Sequence, residues 1–141
     1  MDESDFSRRG TKTPLVGKIA IVGVGLIGGS LGMAWRRAGV AREIVGLGRS
    51  ESRLRRAVEL GAIDRGTTDW AGGAGDADVV VLCTPVSTFP AVLKEIYFSL
   101  KPGCIVTDAG SVKASVCRLV PELPPGVSLS LIHISEPTRP Y

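Results

Sequence analysis

Lys18-Ile19-Ala20-Ile21-Val22-Gly23-Val24-Gly25-Leu26-Ile27-Gly28-Gly29-Ser30-Leu31 decides how this chain is read. Ile19 to Val22 is a short unbroken apolar run. Without polar alternation, such a run suits a strand covered on both faces, as in a parallel sheet. Glycines follow at 23, 25 and 28, and then Ile27, Leu31, Ala34, Trp35 and Ala38 recur at helical spacing. Gly39 is placed to end that helix. Strand, Gly-x-Gly-x-x-Gly and helix in this order is the context in which the motif cradles a dinucleotide. One glycine permits the tight turn, the second lets a pyrophosphate approach the backbone, and the third lets helix and strand pack closely. The helix start adds unpaired N–H donors and partial positive charge. This predicts cofactor contacts from Gly23, Gly25, Leu26, Ile27 and Gly28. A glycine-rich turn that holds no ligand is the plain alternative.

Outward from this unit the pattern repeats. Glu43 to Leu47 is a second strand, and Ser50 can cap a helix that runs to about Leu60 with Leu54, Ala57 and Val58 inward. Thr67 to Gly75 is glycine-rich and carries no clear period. Asp78 to Cys83 is another buried strand, stopped at Thr84-Pro85. Thr88 to Leu100 has Phe89, Val92, Leu93, Ile96 and Leu100 at helical spacing. Lys101-Pro102-Gly103 is a turn, Cys104 to Thr107 a strand, and Lys113 to Val120 a short helix. Strands that alternate with helices predict an α/β fold with a doubly wound, mostly parallel sheet of the Rossmann type. Ligands of such sheets bind at the carboxyl ends of the strands.

Composition narrows the classes. The 141 residues include 18 glycines, eight of them between Gly23 and Gly48, with no Gly-X-Y period, so the excess belongs to the turn region and not to a fibre. Cys83, Cys104 and Cys117 are an odd number with no C-x-x-C, which argues against a disulfide framework or a zinc site and for a reducing, cytoplasmic setting. The net charge of +3 is concentrated: seven arginines lie between Arg36 and Arg56 against Glu43 and Glu51. Only Trp35 accompanies them, so the aromatic interleaving of a nucleic-acid surface is missing, and a solvated helix face is the simpler reading. Ser7-Arg8-Arg9 ahead of uncharged Ile19 to Trp35 faintly suggests a twin-arginine signal. The glycines that break this run, and its shortness against a bilayer, argue against export and membrane insertion.

The strand ends hold the candidate chemistry. An Asp or Glu about 20 residues after the glycine motif accepts from the ribose hydroxyls of NAD. Gly48 stands there instead, followed by Arg49, Ser50 and, one helical turn on, Arg53. With no carboxylate to repel a 2′-phosphate and guanidinium groups able to fork onto one, the cofactor is NAD or NADP, with NADP tolerated or preferred. Arg49 stacking on adenine is the alternative role. Thr84 and Pro85 sit where a strand meets the expected nicotinamide ribose, though a proline that merely ends a strand explains them nearly as well. Asp108-Ala109-Gly110-Ser111-Val112-Lys113 brings a hydroxyl, a carboxylate and an amine to the next strand end. Ser111 also reads as a helix N-cap.

Four segments in order resemble the prephenate/arogenate dehydrogenase family: Gly23 to Leu31, Ala77 to Val86, Lys101-Pro102-Gly103, and Asp108 to Lys113. The resemblance covers about residues 17 to 128. A dehydrogenase of the hydroxyacid or pyrroline-carboxylate type is a further alternative, against which the Asp108 to Lys113 segment argues. The resemblance implies oxidative decarboxylation of prephenate or arogenate with NAD(P)+, a step of tyrosine biosynthesis. It implies that Ser111 orients the ring hydroxyl and that the general base is a histidine in a later Gly-Gly-His-Pro-x-Ala-Gly segment. It also implies a following helical domain that supplies the substrate-binding arginines and the homodimer contact.

His133, the only histidine, lies 22 residues after Ser111, but Leu131-Ile132 and Ile134-Ser135 replace the expected flanks. Residues 129–141 resemble the translation of a transposase-type sequencing adaptor read through into an index. The expected organisation is therefore a leader over 1–16, a nucleotide-binding domain over 17–128 and a foreign tail over 129–141, with no role for His133. Such a fragment binds cofactor without catalysis. A stand-alone nucleotide-binding module remains the alternative of another class.

Overall fold

A computed structural model describes residues 13–109 and 123–131. Six parallel strands form one sheet in the order β3-β2-β1-β4-β5-β6. They are β1 Val16–Val22, β2 Ala41–Leu47, β3 Arg65–Thr67, β4 Val79–Leu82, β5 Ile105–Asp108 and β6 Ser128–Leu131. The helices are α1 Leu26–Ala38, α2 Glu51–Glu59, α3 Trp70–Ala74 and α4 Phe89–Ile96. β1 is central: Ile19 pairs with Ile44 of β2 on one side and Val79 of β4 on the other.

The unbroken apolar runs are explained by cover on both faces. Ala20, Val22, Val45, Leu47, Val80 and Leu82 point into one core layer with Trp70 of α3 and Phe89, Leu93 and Ile96 of α4. Their neighbours Ile19, Ile21, Ile44 and Val81 point the other way, against Leu54 and Ala57 of α2 and Leu31 and Trp35 of α1. Alternate side chains of a strand leave opposite faces, so each strand must be apolar throughout. The chain runs outward from β1 to β3 under one helical layer. It then returns to β4 and runs outward again under the other. The order reverses between β1 and β4, and the carboxyl ends of the strands open there into a crevice.

Several elements follow the expected bounds. α1 stops at Gly39, whose φ of 66° lets its N–H reach the Arg36 and Trp35 carbonyls. Ser50 caps α2, its Oγ accepting from the Arg53 N–H at 3.3 Å. The second strand starts earlier, at Ala41. The Thr88–Leu100 helix is shorter, with an α-helical part over Phe89–Ile96 and a 3₁₀ turn on each side. The glycine-rich segment is not irregular. Edge strand β3, only three residues long, ends at the segment's first residue, Thr67, and the segment holds α3, capped by the Asp69 carboxylate accepting from the Gly72 N–H. The expected domain boundary at 128 falls within β6, whose Leu131 is paired with Asp108. The expected helix over 113–120 and His133 lie outside the described residues. Among the described residues no helix is long and apolar enough to cross a membrane.

At the amino ends of the strands, the Asp78 carboxylate accepts from the Gly17 N–H at 2.7 Å and the Lys18 N–H at 3.1 Å, and pairs with Lys101 Nζ at 2.7 Å. One side chain thus links β1, the approach to β4 and the turn before β5, at the end opposite the crevice.

Candidate functional site

The crevice between β1 and β4 is a cleft of about 350 Å³. Its floor is the glycine turn. Gly23 leaves β1 with φ 88°, and a Cβ there would stand 2.7 Å from Thr84 Cγ2, so the turn needs a residue without a side chain. Gly28 lies one turn into α1, buried beneath the cleft, where a Cβ would run into the Gly23 carbonyl. These two glycines are demanded by the protein itself. Gly25 is not. A Cβ built on it meets nothing within 4 Å. Gly25 lines the cleft at the start of α1, so its missing side chain leaves room only for something outside the fold. That is the fit expected for a pyrophosphate against a helix N-terminus.

The walls come from two strand ends. Gly48, Arg49, Ser50 and Arg53 follow β2, while Cys83, Thr84 and Pro85 follow β4. The structure therefore brings Gly23, Gly25, Arg49, Ser50, Arg53, Thr84 and Pro85 to one cleft. It does not bring Leu26 and Ile27 there: their side chains project from the first turn of α1, 88% and 55% exposed. What they can offer a ligand is backbone N–H. Thr84 Oγ1 is 2.7 Å from the Thr88 hydroxyl, which also stands 2.6 Å from the Pro85 carbonyl, so the loop after β4 is braced. Burial, with the negative Asp108 adding to it, pushes the Cys83 thiol up to about 11. It stays protonated near neutrality and is no nucleophile. Asp108 ends β5 as a buried carboxylate, and the Ala109 N–H reaches the Leu82 carbonyl at 3.0 Å. Ser111 lies outside the described residues.

Two participants were not visible in the sequence. Trp70 of α3 lines the cleft and donates its Nε1–H to the Gly48 carbonyl at 3.1 Å. The Arg49 guanidinium lies 4.0 Å from the centroid of the Trp70 ring and pairs with Glu95 of α4 at 3.1 Å. Trp70 sits in the stretch without period, and Glu95 reads as an ordinary exposed helix residue, so neither carried a signal.

Residues 31–131 match the family model of the prephenate dehydrogenase nucleotide-binding domain. The chain belongs to the prephenate dehydrogenase family. Prephenate dehydrogenase of Lactococcus lactis subsp. cremoris is 38% identical over 120 residues, which are 82% of this chain and 32% of that protein. Cyclohexadienyl dehydrogenase of Zymomonas mobilis is 34% identical over 122 residues, 86% of this chain and 40% of that one. Among solved structures, prephenate dehydrogenase from A. aeolicus, in complex with hydroxyphenyl propionate and NAD+, superposes with a TM-score of 0.64 at 33% identity, covering 74% of this chain and 38% of that one. The chain spans about a third of the length of the curated relatives it matches.

Proposed function

We propose that this chain is the NAD(P)-binding part of a dehydrogenase that decarboxylates prephenate or arogenate oxidatively in tyrosine biosynthesis. The observation that carries the reading is the empty space over Gly25, framed by a helix start and two strand ends, in a chain whose residues 31–131 match the prephenate dehydrogenase nucleotide-binding domain. Gly23, Gly25 and the first N–H groups of α1 would hold the pyrophosphate. Arg49, Ser50 and Arg53 would meet the adenosine ribose, and Thr84 and Pro85 the nicotinamide side. When bound, the nicotinamide supplies the hydride acceptor. Ser111 is proposed to orient the ring hydroxyl of the substrate, on the strength of the Asp108–Lys113 segment alone. Substrate carboxylates and dimer contacts are assigned to a helical domain of the kind the family resemblance implies. The free thiols of Cys83 and Cys104 suit a reducing compartment such as the cytoplasm.

Titration of the 141-residue chain with NAD+ and NADP+ tests the reading, paired with an assay of cofactor reduction in the presence of prephenate or arogenate. The expected result is saturable nucleotide binding without turnover. Failure to bind either nucleotide would overturn it.

A further inference from the structure

On the NAD(P) reading above, the end of the second strand is where this chain would tell the two nucleotides apart. A carboxylate usually does so at the end of the second strand. Gly48 occupies that position here, yet a carboxylate still arrives. Glu95, 46 residues beyond Arg49 and on another layer of the fold, faces both terminal nitrogens of Arg49: Nη2–Oε2 is 3.1 Å and Nη1–Oε1 is 3.5 Å. The flat face of the same guanidinium rests on Trp70, which is 5% exposed and tethered to the Gly48 carbonyl. Arg49 is therefore fixed by a ring beneath and a carboxylate at its end. That end, with two parallel N–H groups, is the edge that forks onto phosphate. Arg53 also lines the cleft, and its side chain makes no ion pair with the described residues.

We propose that Glu95 is a specificity-determining positioning residue: it occupies the fork of Arg49 and so handicaps the nucleotide that carries a 2′-phosphate. That phosphate must displace Glu95 from Arg49 or give up the Arg49 fork and bind by Arg53 and Ser50 alone. A 2′-hydroxyl faces neither demand. The Arg49 face on Trp70 is the same for both nucleotides.

The test is calorimetric titration of the chain with NAD+ and NADP+ at fixed low ionic strength, comparing the unaltered protein with Glu95→Gln. NADP+ affinity is expected to rise about three- to fivefold, the scale of a surface ion pair, with NAD+ unchanged. The gain shrinks as salt is added. Glu59→Gln makes the same charge change at the far end of α2 and leaves the ratio alone. In an Arg49→Gln background, Glu95→Gln no longer shifts the ratio. Equal tightening of both nucleotides, weaker NADP+ binding, or a shift that persists without Arg49 would each overturn the role of Glu95. Binding of neither nucleotide by the unaltered chain would instead overturn the NAD(P) reading beneath it.

Discussion

At the scale of single residues, the three motif glycines separate into two kinds. Gly28→Ala forces a Cβ into the Gly23 carbonyl, and overpacking of this sort costs about 1–3 kcal/mol. Gly25→Ala adds its Cβ to open space, so its stability should change by less than about 0.5 kcal/mol. Nucleotide affinity should behave in the opposite order, with Gly25→Val losing about tenfold or more because its side chain stands where the pyrophosphate approaches. Urea midpoints measured beside nucleotide titrations check both halves, and a strongly destabilised Gly25→Ala would contradict the assignment. The glycine motif, Arg49, Ser50, Thr84 and Pro85 were legible because turn chemistry and strand ends are local properties of sequence. Trp70 and Glu95 were not. Their position depends on how α3 and α4 cross the sheet, and no spacing along the chain encodes that.

At the scale of elements, capping and periodicity did most of the work where helices were long enough. α2 has a polar outer face rich in arginine and buries only Leu54 and Ala57, so its start matters disproportionately. Ser50→Ala removes the oxygen that accepts from the Arg53 N–H and should cost about 0.5–2 kcal/mol, read as a lower thermal midpoint. The same change should weaken nucleotide binding, since Ser50 also lines the cleft. A variant with unchanged stability would show that the cap is not used. β3 and α3 escaped the sequence reading for a physical reason. Three residues are too few to show alternation, and an α3 of Trp70-Ala71-Gly72-Gly73-Ala74 has no hydrophobic stripe to detect. The Gly73 site explains the composition: a Cβ there would press on Leu47 and Thr67, so α3 lies close against the sheet.

At the scale of the whole molecule, Asp78 fastens the end of the sheet that the ligand does not use. The Lys101 ammonium, and next the Lys18 N–H, hold its carboxyl below its ordinary value of 3.8. A depressed carboxyl stabilises the fold fully above its unfolded value, and that contribution is lost as pH falls through the folded value. Asp78→Asn should therefore lower the urea midpoint at neutral pH, with the gap to the unaltered chain closing below about pH 4. A gap that stays constant as the pH is taken well below 4 would rule the linkage out. The overall architecture was legible because every βα unit repeats one pattern. β6 was not, since residues 129–141 resemble a translated sequencing adaptor, while Ser128 to Leu131 continues the parallel ladder beside β5.

The placement of β1 also bears on synthesis. Its first partner, β2, follows closely, with Ile19 opposite Ile44, but its second partner arrives only with Val79. Until that segment leaves the ribosome, Ile19 to Val22 present an open, wholly apolar edge, the kind of edge that recruits other chains. The seam that gives the mature domain its ligand crevice is thus the place where the nascent chain is most exposed to aggregation.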